Sequence, residues 1–182
     1  MTAKDRVRGI ILAGGLVAAA MAAGTAWAAP ITCTVGVNCV GTSGADELQG
    51  TASGETVGGL GGNDIVYGGR GADKLFGDDG PPRNDDGNDE VYGGPGADVF
   101  TENGGDDLLV GGGGNDTIWA NGDKFASNPG EDAVKGGRGN DLINSVDGFK
   151  DTIDCGSGKD EVSYDQNLDE VKANCEKQKA FF

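Results

Sequence analysis

The sequence predicts an all-β fold made by stacking short strands from one repeated unit. Three observations carry this expectation. A nine-residue period runs through most of the chain, its sixth place is always acidic, and its eighth is always apolar. With position 1 set at Gly41, repeats begin at Gly41, Gly50, Gly59 and Gly68. After an insertion at 77–83 they resume at Asn84, Gly93, Glu102 and Gly111. A second insertion, 120–126, precedes repeats at Ser127 and Gly136, and the extra residue Ser145 precedes the last two, at Val146 and Cys155. The repeats number twelve.

Position 6 holds Asp46, Glu55, Asp64, Asp73, Asp89, Asp98, Asp107, Asp116, Asp132, Asp141, Asp151 and Asp160. Position 8 holds Leu48, Val57, Val66, Leu75, Val91, Phe100, Leu109, Ile118, Val134, Ile143, Ile153 and Val162. Position 4 is Gly except at Ser53 and Phe149. A flexible linker would be glycine-rich without this locked phase.

Each position has a physical reason. Glycines at 1, 2 and 4 admit backbone conformations closed to other residues, so the chain turns tightly and presents carbonyls. Positions 7 to 9 read as a short strand whose middle side chain points inward. One inward residue per strand holds nothing alone, but stacked strands join these residues into a continuous core. The position-6 carboxylate closes the turn beside the carbonyls. Carboxylate and carbonyl oxygens, in a chain with no His, suit a hard cation with six to eight flexible ligands, Ca²⁺ rather than Mg²⁺.

The pattern G-G-x-G-x-D-x-apolar-x resembles the calcium-binding nonapeptide of the RTX, or haemolysin-type, proteins, over about 41–163. The resemblance implies a parallel β-roll, a solenoid with two nonapeptides per coil. It also implies Ca²⁺ between turns two repeats apart, held by position-6 aspartates and turn carbonyls. The flanks, ITCTVGVNCVGT and DTIDCGSGKDEV with NCE, are similar to those of small secreted calcium-binding proteins of Gram-positive actinobacteria.

Two repeats per coil would put odd and even turns on opposite edges. The even turns are near consensus from GGRGAD onward, whereas the odd turns vary and all three insertions precede odd repeats. The even edge is therefore expected to hold the best sites. Its ligands would be Asp73, Asp98, Asp116, Asp141 and Asp160, with carbonyls from turns containing Gly69, Gly71, Gly94, Gly96, Gly112, Gly114, Gly137 and Gly139. Asp64, Asp89, Asp107 and Asp132 are second choices, and Glu55 lies in the poorest turn.

The ends read differently. Lys4, Arg6 and Arg8 precede an apolar run at 10–23, and Ala26-Trp27-Ala28 fits a cleavage site, so residues 1–28 are expected to be a secretory signal peptide. Residues 29–40 would cap the roll at one end and 164–182 at the other. Four cysteines in an exported chain imply two disulfides. Of three possible pairings the local one, Cys33–Cys39 with Cys155–Cys175, is taken.

Composition bounds the function. The net charge of −16 argues against nucleic acid and anionic membranes. No His is present and no phosphate-loop motif occurs, since Gly158-Lys159 is followed by Asp160. The expectation is a secreted, monomeric, non-enzymatic module that stays disordered without metal and folds on binding several Ca²⁺ ions. The alternatives are a calcium-dependent adhesin with a glycan or protein partner, or further off a haemolysin-like toxin or hydrolase. The adhesin reading rests on outward residues at position 9, among them Tyr67, Phe76, Tyr92, Val110 and Trp119.

Overall fold

The computed structural model describes residues 30–78, 87–102, 104–121 and 130–182. The expected signal peptide at 1–28 lies outside the described residues, as do most of the two inserted stretches.

The described chain is strand and turn. It starts with β1 (Ile31–Thr32), β2 (Cys39–Val40), β3 (Glu47–Gln49) and β4 (Thr56–Leu60). It continues through β5 (Ile65–Tyr67), β6 (Lys74–Asp78), β7 (Glu90–Pro95) and β8 (Val99–Thr101). Next come β9 (Leu108–Gly113), β10 (Thr117–Trp119), β11 (Ala133–Arg138) and β12 (Leu142–Ser145). It ends with β13 (Thr152–Ser157), β14 (Glu161–Asp165), β15 (Glu170–Val171) and β16 (Lys177–Phe181). Odd-numbered strands form one eight-stranded sheet and even-numbered strands the other, each in unbroken order. Every pairing is parallel, from β1 with β3 to β14 with β16. This is a parallel β-solenoid with two repeats per coil, as the resemblance to the calcium-binding nonapeptide implies.

Register follows the repeat. In one sheet Leu48 faces Val66, then Val91, Leu109, Val134 and Ile153 in turn. In the other, Val57 faces Leu75, Phe100, Ile118, Ile143 and Val162 through successive intermediates. All twelve position-8 side chains are at most 1% exposed and make the core between the sheets. Each contributes about 1.5–3 kcal/mol by burial, far less than it costs to order a coil, so no coil stands without neighbours.

Both flanks continue the stack. Cys39, buried, takes the core register against Val57, and Val171 takes it against Ile153. The disulfides Cys33–Cys39 and Cys155–Cys175 are present, in the local pairing. Each ties an end coil, where open sheet edges otherwise fray. Such bonds belong to an oxidising compartment.

The insertions sit differently from the sequence frame. Gly77 ends in β6 and takes the first place of the turn that leads to Asp89: a methyl at Gly59 would lie 2.4 Å from the Gly77 carbonyl, and one at Gly77 would lie 2.2 Å from Asp89 Oδ2. Ala120 is fully buried and follows β10 in the same manner, its N–H bonded to the Asn144 carbonyl. Ser145 does likewise, its Oγ donating to Asp151 Oδ2. The first place of these odd turns therefore belongs to Gly77, Ala120 and Ser145. The reason is parallel pairing, which keeps each strand running until the turn begins.

Candidate metal centre

The turns fold as they do because the backbone at position 2 is left-handed. Gly69, Gly94, Gly112 and Gly137 have φ between 99° and 111°. Leu60, at the same place in an odd turn, is held at φ 95°, a conformation its side chain disfavours and the surrounding stack imposes. At position 4, glycine is required by contact as well. A methyl on Gly96 or Gly114 would come within 1.4 Å of the carbonyl oxygen one coil before, on Gly71 or Gly96, and the Gly139 equivalent gives 1.6 Å. Position-2 carbonyls point the same way, with 2.2 Å from Gly69 O to a methyl on Gly94. The glycine stripes thus aim carbonyl oxygens along the solenoid axis, coil to coil.

The acidic residues form two ladders, one per edge. On the even edge the Glu55 N–H donates to Asp73 Oδ1 at 2.8 Å, Asp73 to Asp98 at 2.9 Å, Asp98 to Asp116 at 2.8 Å, Asp116 to Asp141 at 2.9 Å and Asp141 to Asp160 at 2.8 Å. On the odd edge Asp46, Asp64, Asp89, Asp107 and Asp132 each donate in the same way to the aspartate of the next coil, at 2.7–2.9 Å. The ladder geometry is the same on both edges. What distinguishes the even edge is regular strand pairing that persists through its turns, from Gly94↔Gly112 to Gly137↔Gly156.

One oxygen of each carboxylate serves the ladder; the other faces into the turn. Among the described residues Oδ2 of Asp64, Asp73, Asp98, Asp107, Asp116, Asp141 and Asp160 is buried without a hydrogen-bond partner. Burying a carboxylate oxygen so is costly unless a cation completes it. The predicted metal ligands are therefore brought together in columns of buried oxygens, and this donor set fits Ca²⁺.

Electrostatics agree. Burial pushes Asp98 up to about 6, Asp116 to about 7 and Asp64 to about 8, against the ladder hydrogen bonds that pull them down. Burial also raises Asp73 and Asp141. On the odd edge Asp132 rises to about 8 and Asp107 to about 10, again through burial first and neighbouring carboxylates after it. A carboxyl whose pKa rises on folding holds its proton more tightly folded than unfolded. The cation-free fold is then most stable below about pH 4 and loses that stability as pH climbs through about 6 to 8. A bound cation would release those protons.

Sequence reasoning missed five acids: Asp169, Glu176, Glu102, Asp78 and Asp147. Asp169 and Glu176 extend the ladders past the twelfth repeat, accepting from the Asp151 and Asp160 N–H groups. Asp169 and Val171 keep the nine-residue step from Tyr164, so that signal was present; Glu176 breaks the step and was not legible. Glu102 and Asp78 are also buried in odd turns. One oxygen each of Asp89, Glu102 and Asp107 lie within 4.8 Å of one another, and Asp132, Asp147 and Asp151 form a second such group. Both groups are on the edge ranked second from sequence. At 4.8 Å and an effective dielectric of about 20, each like-charge pair repels by about 3–4 kcal/mol.

A parallel β-solenoid whose turns stack buried carboxylates and axial carbonyls is a cation-binding scaffold. The family model of the RTX calcium-binding nonapeptide repeat matches the chain four times, over residues 49–81, 85–101, 103–124 and 126–162. The chain belongs to that family, and its fold is the β-roll. No curated protein sequence matches it.

Proposed function

We propose that this chain is a secreted, non-catalytic module that folds on binding several Ca²⁺ ions and then serves as a structural or interaction element. The observation that carries the reading is the pair of carboxylate ladders, in which Asp64, Asp73, Asp98, Asp107, Asp116, Asp141 and Asp160 each keep one buried oxygen without a hydrogen-bond partner among the described residues. Without cations the columns repel themselves; with them, binding free energy becomes folding free energy. Extracellular calcium modules commonly bind at roughly 10⁻⁴–10⁻³ M, which suits a chain that stays export-competent in a calcium-poor cytosol.

Calcium titration followed by circular dichroism, with calorimetry for stoichiometry, tests this. At pH 8 we expect a cooperative rise in β-structure with Ca²⁺ and release of protons on binding. In calcium-free buffer we expect more folded protein near pH 5 than near pH 8, the direction set by the raised aspartates. Equal folding by Na⁺ at matched ionic strength would reduce the aspartates to solvated turn residues.

An adhesive role is the second reading. Tyr67 and Tyr92 sit opposite each other on the outer face of the odd-strand sheet, stacked at 5.2 Å, with Val110 next in register. Mutual stacking is ordinary cross-strand packing, and it also leaves a flat aromatic platform of the kind sugars dock on. Binding on a glycan array that disappears in Tyr67→Ala and Tyr92→Ala supports adhesion; no binding by the calcium-loaded protein ends it.

A further inference from the structure

Glu102 breaks the rule of its position. The first place of the odd turns is held by Gly41, Gly59 and Gly77 in the preceding coils and by Ala120 in the next. A carboxylate there reaches back along the axis. Its Oε1 accepts the Gly77 N–H at 2.9 Å. Its Oε2 converges with Asp89 Oδ2 over the Gly77 Cα, for a methyl at Gly77 would lie 2.4 Å from the first and 2.2 Å from the second. Asp107 completes the trio within 4.8 Å. Glu102 and Asp107 are each 3% exposed, and among the described residues neither Glu102 Oε2 nor Asp107 Oδ2 has a hydrogen-bond partner.

We propose that Asp89, Glu102 and Asp107 form a cation site of a second kind, in which a third carboxylate joins two ladder aspartates and a hard multivalent cation binds ahead of the repeat turns. A pair of consensus turns offers two carboxylates and otherwise carbonyls; this turn offers three. Ligand charge is one of the two factors that set the affinity of oxygen sites for calcium, the other being rigidity, and the flanking β-strands supply the second. The site rests on calcium as the cation of the roll, but not on calcium-driven folding.

Two substitutions test it. Glu102→Gln keeps the size and removes one charge, and Glu102→Gly restores the residue the repeat itself uses, so the coil is expected to close in at least one of them. Calcium calorimetry should lose the first-filling site, its affinity falling about tenfold or more, while the remaining sites and the calcium-induced dichroism persist. Terbium gives a local readout. The Trp119 carbonyl accepts the Glu102 N–H at 3.1 Å, so tryptophan-sensitised Tb³⁺ emission reports this turn and should fall in both variants. A tight site and emission that survive both substitutions overturn the proposal, as does a wild-type titration in which all sites are equivalent. Wild-type protein that lights up with terbium but gains no structure from calcium would sink the proposed function and leave this site standing.

Discussion

Gly114→Ala is expected to unfold the middle of the solenoid, and Gly113→Ala, one residue away, to leave it intact. The two glycines adjoin in the run GGGG at 111–114. A methyl at Gly113 meets nothing within 4 Å, whereas at Gly114 it would sit 1.4 Å from the Gly96 carbonyl, on a backbone with φ 138°. That neighbour is main chain and belongs to a rung of the stack, so relief requires prising two coils apart. We expect a loss of roughly 3 kcal/mol or more for Gly114→Ala, with a change within about 0.5 kcal/mol for Gly113→Ala. Thermal unfolding in saturating calcium measures both. Similar melting temperatures would mean that the coils have slack at this turn and that its carbonyls are not held on the axis.

Asp98→Ala is expected to weaken calcium-induced folding far more than Asp46→Ala. Asp98 stands inside the even ladder: it accepts the Asp73 N–H, and its own N–H donates to Asp116. Its removal leaves a buried N–H unsatisfied, costing about 1–3 kcal/mol, and takes a carboxylate from the spaces on both sides of its coil. Asp46 begins the odd ladder and spends Oδ2 on Thr42, accepting its N–H at 2.6 Å and its hydroxyl at 2.8 Å. At fixed ionic strength, Asp98→Ala should move the folding midpoint to higher Ca²⁺ and lower the bound stoichiometry; Asp46→Ala should do so less. Equal shifts would remove the even column from the account.

The sequence made the stack legible because its period is enforced at two places at once. Position 8 must enter the core and position 6 must close a turn, so a slip of one residue would violate both, and the register of β3 through β14 follows. Where only one constraint acts, legibility fails. The insertion after Gly77 preserves Asp89 and Val91 but leaves the first turn position free to be read in either place, and only the strand pairing of β6 assigns it to Gly77. In the sequence Glu102 is only a first position without the glycine that the turn's geometry asks for. Its role comes from Gly77, one coil away and 25 residues back, and from the Asp89–Asp107 rung, which spans 18 residues, and no local pattern encodes that.

The spacing of the ladders has a mechanical meaning. Successive odd-edge aspartates are joined across 18, 25, 18 and 25 residues. Every bond between coils runs along the axis, so tension applied at the two ends peels coils singly instead of shearing the whole sheet. Each release would pay out slack of about 60 Å for the shorter coil and about 85 Å for the longer, at about 3.4 Å per residue. The Cys155–Cys175 bond withholds the 20 residues it spans. A chain stretched this way would lengthen in alternating short and long steps, set by the 18- and 25-residue spacing of the ladder.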